Sequence, residues 1–238
     1  MHAGSLRALT PRRRTQPELI DAPGHDRELL RANLADIARV NRFLGGYRLT
    51  LRALARLLAA APPRRELRVL DVGTGGGDFP PVLVAWARAR GLRATVVGVD
   101  SSEEVLALAL PQPPEVELAI ADARALPHAD GEFDVAVCSL LLHHLDPADA
   151  VAALRELRRV ARAGVVVNDL VRSWPAYVAA LVLTRVFSRN RLTRADGPAS
   201  VLRAYTRREL ESLAAEAGLH GVAFSGFLGY RTAMRWKA

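Results

Sequence analysis

Between residues 67 and 170, short apolar runs alternate with helical segments, and this alternation restricts the possible folds more than any other feature of the chain. "LRVLDVG", "ATVVGVD", "VELAIAD", "FDVAVCSL" and "GVVVNDL" each read as a strand short and apolar enough to be buried on both faces. The segments between them include "PPVLVAWARARG", "SSEEVLALAL" and a long helical stretch from about Pro147 to Ala163. Ser101 or Ser102 is suited to the N-cap of the second, with carboxylates in its first turn. Strands joined in this way predict a parallel sheet with helices on both faces. The expected fold is α/β: a Rossmann-like, doubly wound, mostly parallel sheet of seven strands.

The flanks divide more coarsely. Residues 1–24 carry several Pro and Gly and no periodicity, so a flexible, extended segment is expected, with Arg12, Arg13 and Arg14 as a solvated run. Everything from 25 to 238 reads as one domain. Over 25–63 the spacing of Leu29, Leu30, Leu34, Ile37, Val40 and Leu44 predicts a helix ended by Gly45-Gly46. "YRLTLRALARLLAA" gives a second, stopped by Pro62-Pro63. Residues 64–169 hold the core. In 170–205 the alternation breaks: helix-like "WPAYVAALVLTRVFS" precedes an Arg-rich polar stretch, an insertion placed to form a lid where ligands bind. Residues 206–238 supply a helix, with Thr206 and Glu209 at capping-box spacing, and two weak strands.

Composition narrows the context. A net charge of +8 permits an anionic partner, but the basic residues are spread along helical segments among Glu and Asp. No nucleic-acid partner is therefore expected. Cys138 is the only cysteine, so no intrachain disulfide can form, and it reads as a small buried hydrophobe. The N-terminus lacks the apolar core of a signal peptide, and the longest greasy stretch, 174–187, contains Arg185 and is too short to span a bilayer. The expectation is a cytoplasmic protein without stable membrane insertion.

The turn after the first strand, "VLDVGTGGGDFP", holds four glycines within five residues. A dinucleotide fingerprint requires G-x-G-x-x-G, and the sixth position is Asp78 or Pro80 depending on register, so the pattern fails. The phosphate-cradling P-loop fails as well, because no Gly-Lys-Ser/Thr follows. Carboxylates on either side, Asp71 and Asp78, would repel a pyrophosphate and suit a ligand with cationic or hydroxyl-donating groups.

Asp71-Val-Gly73-Thr-Gly75-Gly-Gly77 resembles the first motif of class I S-adenosylmethionine-dependent methyltransferases. Asp100 at the end of "VVGVD" and Asp122 at the end of "VELAIAD" fall where that family holds ribose and adenine, and "FDVAVCSLLLHHL" is similar to its fourth strand. The resemblance implies S-adenosyl-L-methionine as cofactor. It implies cofactor contacts from Asp71, Gly73, Thr74, Gly75, Gly77, Asp100, Ser101, Asp122, Ala123 and Ser139. Segments on both sides, "RANLADIARVNRFLGG" and "NDLVRS", are similar to small bacterial ubiquinone- and menaquinone-type and polyketide-associated methyltransferases.

That likeness implies methyl transfer to a small aromatic, quinone- or polyketide-like acceptor, at oxygen. His143 and His144, just after the fourth strand, are the candidate catalytic bases. Asn168, Asp169, Trp174, Tyr177 and Tyr205 are the candidate acceptor contacts. No metal is expected, and a homodimer is left open. Two other classes remain: an RNA methyltransferase, against which stands the lack of an aromatic-rich basic motif, and a non-catalytic subunit that binds the cofactor and acts through a partner.

Overall fold

In the computed structural model, residues 10–59 and 65–238 are described. Residues 1–9 of the expected N-terminal segment and the Pro62-Pro63 stop lie outside them. Two helices come first, α1 (Arg27–Phe43) and α2 (Gly46–Leu58). Asp26 caps α1 by accepting from Leu29 N–H at 2.9 Å. The alternating region follows as β1 (Glu66–Val72), α3 (Phe79–Arg88), β2 (Arg93–Asp100), α4 (Glu103–Leu106), β3 (Val116–Ile120), β4 (Phe133–Ser139), α5 (Pro147–Val160) and β5 (Ala161–Leu170). Then come α6 (Trp174–Phe187), α7 (Arg191–Arg203), α8 (Arg207–Glu216), β6 (Ala223–Phe227) and β7 (Arg231–Lys237).

The seven strands form one sheet in the order β3-β2-β1-β4-β5-β7-β6. The first five are parallel, whereas β7 runs antiparallel to β5 and pairs with β6. The order in which strands are added reverses between β1, which leads outward to β2 and β3, and β4, which leads to β5 on the other side. That switch opens a crevice at the carboxyl ends of β1 and β4. The strands are as apolar as the pattern required: Val69, Leu70, Val135, Ala136, Val137 and Val166 are fully buried. One apolar cluster joins β4 and β5 to α5 and α8, and a second joins β1 and β2 to α2 and α3, so both faces are covered. Cys138 belongs to the first, and burial pushes its thiol well above the usual range.

Three local readings are revised. "SSEEVLALAL" forms only the single turn α4, capped by Ser102, and the chain then runs back so that Gln112 Nε2 donates to Gly77 O at 3.0 Å. The helix expected to reach Ala163 stops at Val160, because residues 161–163 already belong to the strand that pairs with β4. The polar stretch after α6 is itself helical; α7 carries Gly197 and Pro198 in its interior and is capped by Asn190, which accepts from Leu192 N–H at 2.8 Å.

Residues 10–24 have little regular structure beyond a short 3-10 turn at Leu19–Asp21, yet they are tied to the body. Arg12 and Arg14 are exposed, as expected for a solvated run. Arg13 is not. It donates to Arg203 O (2.7 Å) and Leu145 O (2.8 Å), and its guanidinium lies 4.2 Å from the Tyr205 ring centre.

Candidate active site

A cavity of about 1040 Å³ opens at the topological switch and runs from the glycine turn to the pair His143 and His144. At the first end the backbone does most of the shaping. Gly73 and Thr74 N–H both donate to Val99 O, at 2.8 and 3.0 Å, and tie the turn to the end of β2. Gly73 and Gly75 have φ of +74° and +56°, which side chains other than glycine rarely adopt. A Cβ on Gly75 would point into open space, so this backbone is bare toward the cavity. Asp100 accepts from Gly75 N–H at 2.9 Å and from Ser102 N–H at 3.0 Å, which fixes its carboxylate at the lip of the turn.

Three carboxylates surround this end. Asp71 is buried and accepts from Thr74 Oγ1 at 2.8 Å. Burial pushes its pKa up to about 7; the Thr74 hydrogen bond works against that, and the charges of Asp78 and Asp100 add to it. Asp78 accepts a hydrogen bond from the Tyr47 hydroxyl, whose own pKa is pushed upward by burial and then by Asp78. A buried, negative, glycine-lined cradle of this kind favours a ligand carrying positive charge and hydroxyl donors.

Of the residues expected at the cofactor, Asp71, Gly73, Thr74, Gly75, Asp100, Ser101 and Ser139 line the cavity. Gly77 stands behind it, its N–H donating to Thr74 O; Gly76 lines the wall in its place. Asp122 and Ala123 are not brought to the cavity wall. The Asp122 carboxylate accepts from Arg124 Nε and Nη2, at 3.0 and 2.7 Å, and Arg124 also reaches Asp149 at 3.0 Å. That guanidinium holds the Asp122 carboxyl below the usual range. No sequence pattern announced Arg124 as its partner.

The other end is built from side chains far apart in the sequence. After β4 the chain turns through Leu140, a non-glycine residue at φ +56°, into a 3-10 turn at Leu142–His144. His143 is buried: its Nδ1 lies 2.6 Å from Asp169 Oδ1, and its N–H donates to Asp169 Oδ2 at 3.1 Å. Burial alone would raise the Asp169 carboxyl, but the charge and hydrogen bonds of His143 hold it below the usual range. His144 is half-buried, with Nδ1 2.8 Å from Asp21 Oδ1. Burial opposes its protonation, yet Asp21, with Glu18 and Asp169 behind it, raises its pKa to about 9.

Arg203 clasps this end. It donates to His143 O (3.0 Å), His144 O (2.6 Å), Thr15 O (3.0 Å) and Gln16 O (2.5 Å). Asp196 accepts from Leu19 and Ile20 N–H at 2.7 and 2.9 Å. Asn168 lines the cavity and donates to Gly46 O and Thr50 Oγ1, while its buried Oδ1 has no hydrogen-bond partner. Asp169 stands one position behind and acts on His143. Glu18, Asp21, Asp196 and Arg203 were all missed by sequence reasoning. They lie in stretches without periodicity, and their burial is decided by long-range packing.

The aromatic residues expected at the acceptor are placed elsewhere. From α6 the cavity is lined by Ala176, Ala179, Ala180, Leu183 and Thr184, one face at helical spacing. Trp174 is 45 % exposed and packs edge-on against Tyr177, and neither reaches the cavity wall. Tyr205 is buried in the core beneath, donating to Leu145 O at 2.7 Å. Small side chains therefore line the α6 wall and leave volume open, while the rings serve packing.

A family model for a methyltransferase domain matches residues 69–164. The ubiquinone biosynthesis O-methyltransferase of Roseobacter denitrificans is 30 % identical over 187 residues, which cover 76 % of this chain and 71 % of that one. The demethylmenaquinone methyltransferase of a Roseiflexus species is 38 % identical over 125 residues, 52 % of this chain and 50 % of that one. The chain spans about half the length of the first curated relatives it matches. An S-adenosylmethionine-dependent methyltransferase from Aquifex aeolicus shares the fold, with a TM-score of 0.56 at 18 % identity over 90 % of this chain and 99 % of that one.

The sheet order, the glycine cradle between two carboxylate-bearing strand ends and these relatives define one class, the class I methyltransferase fold. This chain belongs to the S-adenosylmethionine-dependent methyltransferases of that class, and ubiquinone- and menaquinone-type enzymes are among its curated relatives. Among the described residues, no helix is long and apolar enough to cross a membrane.

Proposed function

We propose that this chain transfers a methyl group from S-adenosylmethionine to an oxygen of a small aromatic acceptor, of the quinone or polyketide kind. One observation carries the reading: the cavity joins the anionic glycine cradle, without a dividing wall, to a pair of histidines whose Nδ1 atoms are already engaged. S-adenosylmethionine fits the first end by charge, since its sulfonium and ammonium would meet Asp71, Asp78 and Asp100, and the bare Gly75 backbone leaves it room. Bound there, it supplies an electrophilic methyl group. Asp100 would hold the ribose hydroxyls, and Asp71 the amino group.

For the adenine we infer an approach toward Asp122 and Ala123 that requires Arg124 to release the carboxylate. At the far end Asp169 and Asp21 hold one nitrogen of each ring, so Nε2 of His143 and of His144 is the atom left to act on an acceptor hydroxyl. Alignment of that oxygen with the methyl is the main contribution asked of the protein, and proximity of this kind supplies several kcal/mol. The apolar wall from α1 and α6, with Leu30, Leu34, Ile37, Ala179 and Leu183, suits a flat ring. The relatives' quinone-ring names support the same acceptor class.

Isotope-labelled cofactor tests the reading directly. Label should pass to members of a panel of phenols and hydroxyquinones and not to bulk tRNA. Label found only in RNA, or no transfer to any acceptor while the cofactor binds, would overturn it.

A further inference from the structure

A nitrogen of His143, a nitrogen of His144 and a carboxylate oxygen of Glu18 lie within 4.8 Å of one another. Glu18 is only 5 % exposed. Its Oε2 accepts from Ser200 Oγ at 2.7 Å, whereas its Oε1 is buried with no hydrogen-bond partner, 3.6 Å from His143 Nε2. Arg203 Nε stands 3.8 Å from that oxygen, but its hydrogen bond goes to His143 O. Each imidazole is backed by a carboxylate on Nδ1, Asp169 behind His143 and Asp21 behind His144. Such backing engages Nδ1, so that once the ring has given up its second proton the Nε2 lone pair is the one available, the arrangement that accompanies histidines ligating a metal.

We propose that Glu18, His143 and His144 bind a divalent first-row transition ion, with its open coordination positions facing the methyl acceptor. Two imidazoles and one carboxylate suit Zn²⁺, Co²⁺ or Fe²⁺ better than Mg²⁺ or Ca²⁺, which prefer oxygen-rich sets. Ligand atoms about 2.1 Å from a tetrahedral ion stand roughly 3.4 Å apart. His143 and Glu18 are already near that spacing at 3.6 Å, and His144, half-buried on the 3-10 turn, is the ligand that closes in. The carboxylates of Glu18, Asp21 and Asp169 converge on the two imidazoles, with Arg203 beside Glu18 and the buried Arg231 acting on Asp169. Glu18, Asp21, His143 and His144 all line the cavity, so an acceptor oxygen can reach the ion.

An acceptor hydroxyl that joins the ion as a further ligand becomes more acidic. Its O–H bond breaks, the proton leaves to water, and the electron pair stays on oxygen. The site rests on the proposed acceptor end but not on methyl transfer itself. Its test is the full chain, stripped with a chelator and titrated with Co²⁺ alone, read by the d–d absorption bands and by equilibrium dialysis.

The wild-type chain should take up one Co²⁺. Glu18→Gln and His144→Ala should each lose at least about tenfold in affinity while still binding S-adenosylhomocysteine, which shows that they fold. No uptake by the wild type, or unchanged affinity in both folded variants, overturns the site. Full methyl transfer by the stripped chain overturns its role in activating the acceptor and leaves the transferase reading standing. Uptake that both variants lose, without transfer to any acceptor, supports the ion site and sinks the transferase reading instead.

Discussion

The two ends of the cavity are made in opposite ways. The cofactor end is local: residues 71–78 supply the turn and two of its three carboxylates, and the end of β2 anchors it through Val99 O and Asp100. Most of its contacts come from backbone groups whose positions follow once β1 and β2 pair. The acceptor end is assembled from residues 15–21, 143–144, 168–169 and 196–203, joined almost entirely by side chains. A backbone-built site inherits the rigidity of the sheet. A side-chain-built site depends on each buried polar partner, and it can change its chemistry without disturbing the fold.

The largest expected effect falls on the clasp. Arg203→Met removes donors to four carbonyls and leaves Glu18 buried without its neighbouring cation. A loss of about 3 kcal/mol in urea unfolding is expected, in line with breaking a buried charged network. If the two ends are separable, the folded fraction should still bind S-adenosylhomocysteine with near-normal affinity in calorimetry. Loss of cofactor affinity in proportion to stability would erase the distinction between them.

The next effect is at the cradle. Asp100→Ala removes the acceptor of the proposed ribose hydrogen bonds and unties Gly75 and Ser102 N–H. Two charge-assisted bonds at about 1.5 kcal/mol each correspond to roughly a hundredfold rise in cofactor Kd. Stability should change far less than with Arg203→Met. Unchanged affinity would remove Asp100 from the site.

This division explains how much was legible in the sequence. The alternation of strands and helices and the cradle could be read because short apolar runs and glycine patterns act over a few residues and carry a steric reason. Asp122 stands outside the cavity wall because its carboxylate is committed to Arg124, two residues on, a choice made by side-chain geometry. Glu18 and Arg203 were invisible for a different reason: they are charged residues in unpatterned stretches, buried only because α7 packs over the N-terminal segment. Polar burial of that kind is a property of the assembled molecule. The histidines were found because they directly follow an apolar strand, but Asp21, the carboxylate partner of His144, was not.

The cradle should also report its charge through pH. Asp71 has a raised pKa of about 7, caused first by burial, and the charged groups around it are Asp78 and Asp100, with the buried Cys138 thiol on β4 alongside. The native state therefore holds a proton that the unfolded chain has already released above its ordinary carboxyl pKa. Stability of the cofactor-free protein should fall as pH rises from about 4 to about 7 and level off above. Asp71→Asn, which can still accept from Thr74, should flatten the slope, and saturating S-adenosylhomocysteine should flatten it too, because its ammonium favours the carboxylate. A slope that survives in Asp71→Asn belongs to another group.

The smallest effect is the sharpest check on the wall of the acceptor end. A helix apolar around most of its circumference hides which face is buried, and α6 reads that way from Trp174 to Phe187. Only the structure resolves it: Ala176, Ala179, Ala180, Leu183 and Thr184 line the cavity, while Trp174, Val178 and Val182 stand exposed. Trp174→Ala should then change stability by less than about 0.5 kcal/mol, as expected of an exposed position, and should alter acceptor KM by less than twofold. Ala180→Leu supplies the contrast, because it adds three carbons to the cavity wall without touching the cradle. It should raise acceptor KM and leave cofactor Kd unchanged. If Trp174→Ala raises acceptor KM and Ala180→Leu does not, the helix presents its other face to the acceptor, and the aromatic residues regain the role the sequence assigned them.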